Sequence, residues 1–264
     1  MDDLDVLLTN DDGIDATGLQ VLYDKLSRVA NVTAVAPATD QSAVGRAISH
    51  SVTARDHERG YAIEGTPVDC VVAGLSTLVP EADMVISGCN CGANLGSHTL
   101  GRSGTISAAV ESAFFGVPAI AVSAYIPAEE FTEESIADIE VPAHQYAEAA
   151  QATEFLLKRT HTGAVFDHAD YLNVNAPITD RATGEMVLTR PSHIYRMDAS
   201  RDGETIALED NIWGMMAEGQ VPDEDGTDRQ AIMENKISIS PLTAPHTTEH
   251  HDELETITED YPAN

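Results

Sequence analysis

The stretch Val6-Leu7-Leu8-Thr9-Asn10-Asp11-Asp12-Gly13 constrains this chain more than any other. Its short apolar run, broken by a turn signal, fits a strand buried on both faces. The run stops at two adjacent carboxylates and a glycine. Neighbouring carboxylates raise each other's proton affinity, so a fold that sets them at the mouth of a buried strand ordinarily has a cation to hold between them.

The residues that follow complete a β-α-β unit. Residues 18–28 have the helical spacing of Leu19, Leu22 and Leu26, and residues 32–36 form a second apolar strand closed by Pro37. Short apolar strands alternating with helices predict an α/β fold, a Rossmann-like parallel sheet in three layers, α/β/α. Further strands are expected at 61–63, 84–87, 119–123 and 172–174, the last finishing the sheet near Pro177. Helices are expected from Thr66 as N-cap and Pro67 to about residue 78, over 106–115 and over 145–159. Asp69, in the first turn of one of them, complements the helix dipole and need do nothing more. Residues 43–60 alternate weakly, which suggests a β excursion. In a sheet of this kind ligands gather at the carboxyl ends of the strands, where Asn10 to Gly13 sit.

The totals bound the partners. The chain has 264 residues, 42% hydrophobic, enough for one large α/β domain with an appendage or for two small domains. Asp and Glu number 44 against 14 Lys and Arg, a formal charge of -30, and the only lysines are Lys25, Lys158 and Lys236. An acidic shell on a folded core suits a cytoplasm at molar salt, where screening falls to about 3 Å. No basic stripe exists to meet a nucleic-acid duplex. No apolar run is long enough for a membrane span, and the acidic start Met1-Asp2-Asp3 is unlike a signal peptide, so the expected location is cytoplasmic. Cys70, Cys89 and Cys91 form no disulfide framework, and Cys89-x-Cys91 lacks a second pair to complete a zinc site. They read as small buried hydrophobes.

Three loops join the first at one sheet edge. The loop after the second strand brings Asp40 and Ser42, although Ser42 alone reads equally well as a turn or cap residue. The loop Ser87-Gly88-Cys89-Asn90-Cys91-Gly92-Ala93-Asn94-Leu95-Gly96 has three glycines and two asparagines directly after a strand, as a backbone does when it must approach something small. Arg102-Ser103-Gly104-Thr105 then opens a helix whose free N–H groups and two hydroxyls make an anion site, or an N-cap with no ligand. Asp11, Asp12, Ser42 and Asn90 are hard oxygen donors that favour Mg²⁺, Mn²⁺ or Ca²⁺ over Zn²⁺. A hard cation beside a phosphate-sized cradle at Asn94 and Ser103 to Thr105 describes phosphoryl chemistry.

Residues 1–180 are read as the catalytic core and 181–264 as a C-terminal β-hairpin arm and tail. The later part is polar, with a last strand at 237–239 and little core of its own, so it is expected to lie on a partner subunit. The tract 129–140 reads as an acidic surface loop or short helix, and Glu249-His250-His251-Asp252-Glu253 as a metal-binding run or a solvated terminus.

Other phosphate-binding plans fail on spacing. The glycines after the first strand are Gly13 and Gly18, not G-x-G-x-x-G, and Leu19 stands where a Walker A loop needs lysine. Adjacent Asp11 and Asp12 also exclude an Asp-x-Asp strand end. The ordered strings LLTNDDGI, VAPATDQSAVGRAIS, EGTPVDCV, MVISGCNCGANLG, RSGTISAAVES and VPAIAVS resemble the SurE survival proteins. The likeness is dense over residues 4–125 and resumes at YLNVNAP, Gly226-Thr227-Asp228 and KISISPL.

That resemblance implies a metal-dependent phosphatase of nucleoside 5′- and 3′-monophosphates, some relatives also cleaving polyphosphate. It places one divalent ion per subunit, Mg²⁺ or Mn²⁺, on Asp11, Asp12, Ser42 and Asn90, and in the mechanism expected here Asp11 or Asp12 accepts the proton. It lines the phosphate with Asn10, Asn94, Ser103, Gly104 and Thr105, and implies a homodimer or homotetramer with exchanged arms. The chain departs from the family pattern at Gln41, Ala43, Ser97-His98 and Arg102, which bears on base recognition. The rival readings are a nucleotide or phosphate sensor that releases no phosphate, and a structural subunit whose aspartates hold a stabilising cation. Because the field of so acidic a chain repels a phosphomonoester at low salt, KM for such a substrate is predicted to fall as KCl rises. Steady-state kinetics over a KCl series tests this, and an indifferent KM overturns it.

Overall fold

The computed structural model describes residues 4–127, 141–161 and 164–244. The opening unit forms as its pattern predicts: β1 (Asp5–Thr9) and β2 (Asn31–Pro37) pair in parallel, joined by α1 (Thr17–Leu26). β3 (Thr53–His57), β4 (Gly60–Glu64), α2 (Pro67–Ala73) and β5 (Met84–Cys91) follow. Then come α3 (Ser97–Leu100), α4 (Gly104–Phe114), β6 (Ala119–Tyr125), α5 (Ala147–Thr160) and β7 (Tyr171–Pro177). The chain ends with β8 (Met186–Leu188), β9 (Met197–Asp202), β10 (Thr205–Asp210), α6 (Asn211–Ala217), α7 (Asp228–Met233) and β11 (Ile237–Leu242).

Nine strands make one sheet in the order β3-β4-β2-β1-β5-β6-β7-β11-β8. From β4 through β7 every pairing is parallel. Alternate residues of the buried strands face opposite layers. Val6 and Leu8 pack with Leu19, Leu22 and Leu26 of α1 and Leu156 and Leu157 of α5, whereas Leu7 packs with Val71 of α2 and Ile106 and Ala109 of α4. This is the three-layer α/β/α plan, with α1 and α5 on one face and α2 and α4 on the other. Helix α1 lies close to the sheet because its second residue has no side chain: a Cβ on Gly18 would stand 2.1 Å from the Cys89 carbonyl oxygen.

Helix α2 starts where its cap signal placed it. The Thr66 hydroxyl accepts from the Asp69 N–H, and the Asp69 carboxylate accepts from the Thr66 N–H, a reciprocal capping box. Asp69 does more than complement a dipole, since it also accepts from the Ser49 N–H and hydroxyl. This explains a departure from expectation in residues 43–60. Within that stretch Thr53–His57 becomes a strand, paired antiparallel with β4, whose first residue is Gly60. The earlier alternating piece gives its polar groups to the helix cap, with the Thr66 hydroxyl donating to the Ala47 carbonyl.

The sheet does not finish at β7. β11 pairs antiparallel with β7 and parallel with β8, so two strands from beyond residue 180 complete the core sheet. The expected last strand also runs through Pro241, which sits among paired residues. A small third cluster joins Ala93 and Leu95 to Ile212 and Met216 of α6 and Ile232 of α7. The piece that forms a sheet of its own is the β9-β10 hairpin. Among the described residues no helix is long and apolar enough to cross a membrane. The tract 129–140 and the Glu249 to Glu253 run lie outside the described residues.

Candidate active site

Strand order reverses between β1 and β5: β1 has the next strand, β2, on one side and β5 on the other. Crevices at the carboxyl ends of such a pair are the usual ligand sites of open parallel sheets. Asn10 to Gly13 leave β1 there, and β5 carries Cys89 to Cys91 to the same edge before residues 92–94 leave it. The buried Asn10 amide closes the first loop on itself, donating to the Gly13 carbonyl at 2.8 Å and accepting from the Gly13 N–H at 3.2 Å. Gly13 has φ 104°, a left-handed conformation that suits glycine. This self-bonded loop presents Asp11 and Asp12. The loop after β2 is tied to it by the Gln41 N–H, which donates to the Asp11 carbonyl at 2.7 Å.

Asp11 is only 4% exposed. Burial raises its pKa, opposed by the Thr105 hydroxyl, which donates to Asp11 Oδ1 at 2.5 Å, and by backbone N–H groups including that of Thr105. Burial also raises Asp12, from its ordinary 3.8 up to about 7, reinforced by the charges of Asp11 and Asp40 and opposed by the Cys91 N–H, 3.1 Å from Oδ2. Among the described residues no Lys, Arg or His pairs with either carboxylate. Asp40 holds Ser42 by accepting from its N–H and its hydroxyl at 2.9 and 2.7 Å, so the turn reading of Ser42 is satisfied and its oxygen keeps acceptor capacity. The Asn90 Nδ2 donates to the Gly92 carbonyl, leaving the amide oxygen as its other polar atom.

The helix end expected to face an anion faces Asp11. A Cβ on Gly104 would stand 2.7 Å from Asp11 Cβ and 2.8 Å from Oδ2, so α4 reaches the carboxylate only because that residue is glycine. Ser103 caps α4 by accepting from the Ile106 N–H at 3.1 Å. Its own N–H donates to the Thr99 carbonyl, which leaves its hydroxyl proton and the Gly104 N–H at the helix start. Thr105 and Asn10, both expected to line a phosphate, have these internal partners and act on the carboxylates and their loop. One Asn94 amide hydrogen goes to the Ser123 hydroxyl at 3.0 Å.

Anchors from the later chain carried weaker signals. Asn173 and Asn175, the buried amides of the YLNVNAP string, both donate to the Asn94 carbonyl, and Asn175 Oδ1 accepts from the Asn94 N–H. Two amides in a buried strand require polar partners, a signal in the sequence that could have found them. Asp228, of the Gly226-Thr227-Asp228 string, is fully buried and accepts from the Gly96, Ser192 and Arg229 N–H groups. Burial pushes the Cys70 and Cys89 thiols well above the ordinary thiol range, away from the reactive thiolate form.

The sequence model of the family described as Survival protein SurE matches residues 6–197. The chain belongs to the SurE family. It is 58% identical to the 5′-nucleotidase SurE of Haloarcula marismortui, over 99% of this chain and 96% of that one. It is 56% identical to the 5′-nucleotidase SurE of Natronomonas pharaonis, over 98% and 100% of the two chains. The crystal structure of the SurE protein from Aquifex aeolicus superposes with a TM-score of 0.77 at 28% identity, covering 97% of this chain and 100% of that one. The SurE match takes in all the loops at the β1/β5 crevice and most of the segment leading to the hairpin.

A pH dependence follows for this SurE protein. Between 3.8 and about 7 the folded chain keeps a proton on Asp12 that the unfolded chain has released. Stability must then fall as pH rises, with the full penalty in place above about 7. In EDTA the thermal midpoint is predicted to drop across this window, and Asp12→Asn to flatten the drop. Calorimetric scans at fixed KCl check it, and equal slopes in the two proteins count against it.

Proposed function

We propose that this protein is a divalent-metal-dependent phosphomonoesterase acting in the cytoplasm on nucleoside 5′-monophosphates, and on 3′-monophosphates as a second substrate. One observation carries the reading: a buried carboxylate pair without a cationic partner among the described residues stands at the β1/β5 crevice, against the start of α4. The relatives named as 5′-nucleotidases support the substrate class.

The residues fit a hard cation. Asp11, Asp12, the Ser42 hydroxyl and the Asn90 amide oxygen form an all-oxygen donor set, suited to one Mg²⁺ or Mn²⁺ per subunit. Positive charge held there relieves the burial and repulsion that raise Asp12. When bound, such an ion stabilises charge on phosphoryl oxygens and acidifies a coordinated water. The chain's own groups do the rest. The Ser103 hydroxyl, the Gly104 N–H and the second Asn94 amide hydrogen bind phosphoryl oxygens at the positive end of α4. Thr105 fixes Asp11 and, by donating to it, favours its charged form against the burial that opposes it. Asp12 has one oxygen occupied by a single N–H and is the less buried of the two, so its Oδ1 takes the proton of the attacking water.

Residues 197–210 are assigned to subunit exchange within this reading. The β9-β10 hairpin is a sheet apart from the core, and its Ile206 and Leu208 are 59% and 72% exposed. Exposed apolar side chains on a two-stranded ribbon suit a second copy of the chain, in a homodimer or homotetramer.

Phosphate release from 5′- and 3′-mononucleotides in molar KCl tests the activity. EDTA is expected to abolish it, Mn²⁺ or Mg²⁺ to restore it, and Asp11→Asn to lower it by on the order of a hundredfold or more. Nucleotide binding without phosphate release would establish the sensor reading instead, and undiminished activity in EDTA would sink the metal assignment. Light scattering tests the arm. A dimer or tetramer that Leu208→Asp shifts to smaller species is expected, and a wild-type monomer refutes the exchange.

A further inference from the structure

The rim of the crevice carries a second feature, built from the turn before α4 and from the strap 192–196. Arg102 directly precedes Ser103, and the turn it ends also abuts the Ser42 loop: a Cβ on Gly45 would lie 3.5 Å from the Gly101 carbonyl oxygen and 3.8 Å from that of Arg102. Arg102 donates to the Tyr195 hydroxyl at 3.1 Å, and its guanidinium lies 5.8 Å from the centre of the Tyr195 ring. The Tyr195 ring meets His98 edge-on, with centroids 5.2 Å apart, and His98 in turn stands between Asp210 and Arg229.

Two properties set this pair apart. The first is charge: the neighbouring arginines are matched with acids, Arg46 with Glu111 and Arg229 with Asp223. Arg102 is held by a neutral phenol, so its charge stays available to an anion in a chain of net charge -30. The second is exposure. Tyr195 is 48% exposed although its hydroxyl and one edge are fixed, which leaves an aromatic surface open, tied through Arg102 to the residue before Ser103. An exposed ring held at its edges is a stacking platform for a planar base, and an unpaired guanidinium beside it is a handle for the phosphate.

We infer that Arg102 and Tyr195 form the nucleotide-recognition rim of this site, Tyr195 stacking on the base and Arg102 drawing in the phosphate of the same molecule. The inference rests on the nucleotidase reading, and it specifies the substrate class: a phosphomonoester with a planar base, preferred over the same ester without one. Arg102 stands where the family pattern often has tyrosine, so in this chain the ring comes from the strap and the charge from the turn.

The test compares AMP with ribose 5-phosphate, using the full chain in molar KCl. Calorimetric titration in EDTA measures binding without turnover. Tyr195→Leu is expected to weaken AMP binding on the order of tenfold and to leave ribose 5-phosphate unchanged. Tyr195→Phe, which keeps the ring, retains the preference for AMP. Arg102→Gln weakens both ligands alike. With Mn²⁺ present the same losses appear in KM, with kcat little altered. If Tyr195→Leu weakens the two ligands equally, or neither, the rim assignment is overturned. If wild-type protein binds AMP with this pattern but releases no phosphate, the rim stands and the nucleotidase reading fails.

Discussion

Two carboxylates held side by side in a partly dry crevice are the interaction on which this structure turns. Their burial and mutual repulsion both oppose ionisation, and the surrounding chain answers at short range. A threonine hydroxyl and a helix start meet Asp11, and a backbone N–H meets Asp12. These donors partly offset the cost, and Asp12 still titrates near neutrality. A site left so is in a poised electrostatic state, favourable to a cation and to the anion that follows it.

Holding that state requires the backbone to be fixed more firmly than loops usually are. The Asn10 amide locks the turn after β1. Asn173 and Asn175 of β7 hold Asn94, and buried Asp228 of α7 holds Gly96 at the end of the same loop. Burial raises the pKa of Asp228, but three N–H donors favour its charged form, and Arg229 adds to them. The crevice between β1 and β5 is thus braced from the C-terminal part of the chain, which also supplies β8 and β11 to the sheet. Part of the polarity of that region, which suggested an appendage without a core, belongs to Asp228, Arg229 and Ser238, which are buried with hydrogen-bond partners.

Much of the fold was legible because its pattern is local. Leucine spacing marked α1, apolar runs bounded by proline and glycine marked β1, β2 and β6, and the Thr66-Pro67 pair marked the start of α2. The donors Asp11, Asp12 and Ser42 were legible as loop residues after strands, since a parallel sheet brings those loops to one edge. Asn90, read as the next such loop residue, lies instead near the end of an extended β5, paired with Ser123 of β6. Less legible were residues whose role depends on a distant partner. Ser49 reads as part of a strand until Asp69 captures it, and Thr105 reads as a phosphate ligand until Asp11 stands beside it.

By itself the sequence determined the layered α/β class, the family, and the adjacency of two acids behind a buried strand, because these follow from spacing along the chain. Only the tertiary structure decided where hydrogen bonds go. It gave the start of α4 to Asp11, carried the sheet past β7 through β11, and set Tyr195 against Arg102 across more than ninety residues. The physical reason is that each polar group has several chemically equal partners within reach in principle, and only the folded geometry selects the one that lets it be buried without loss.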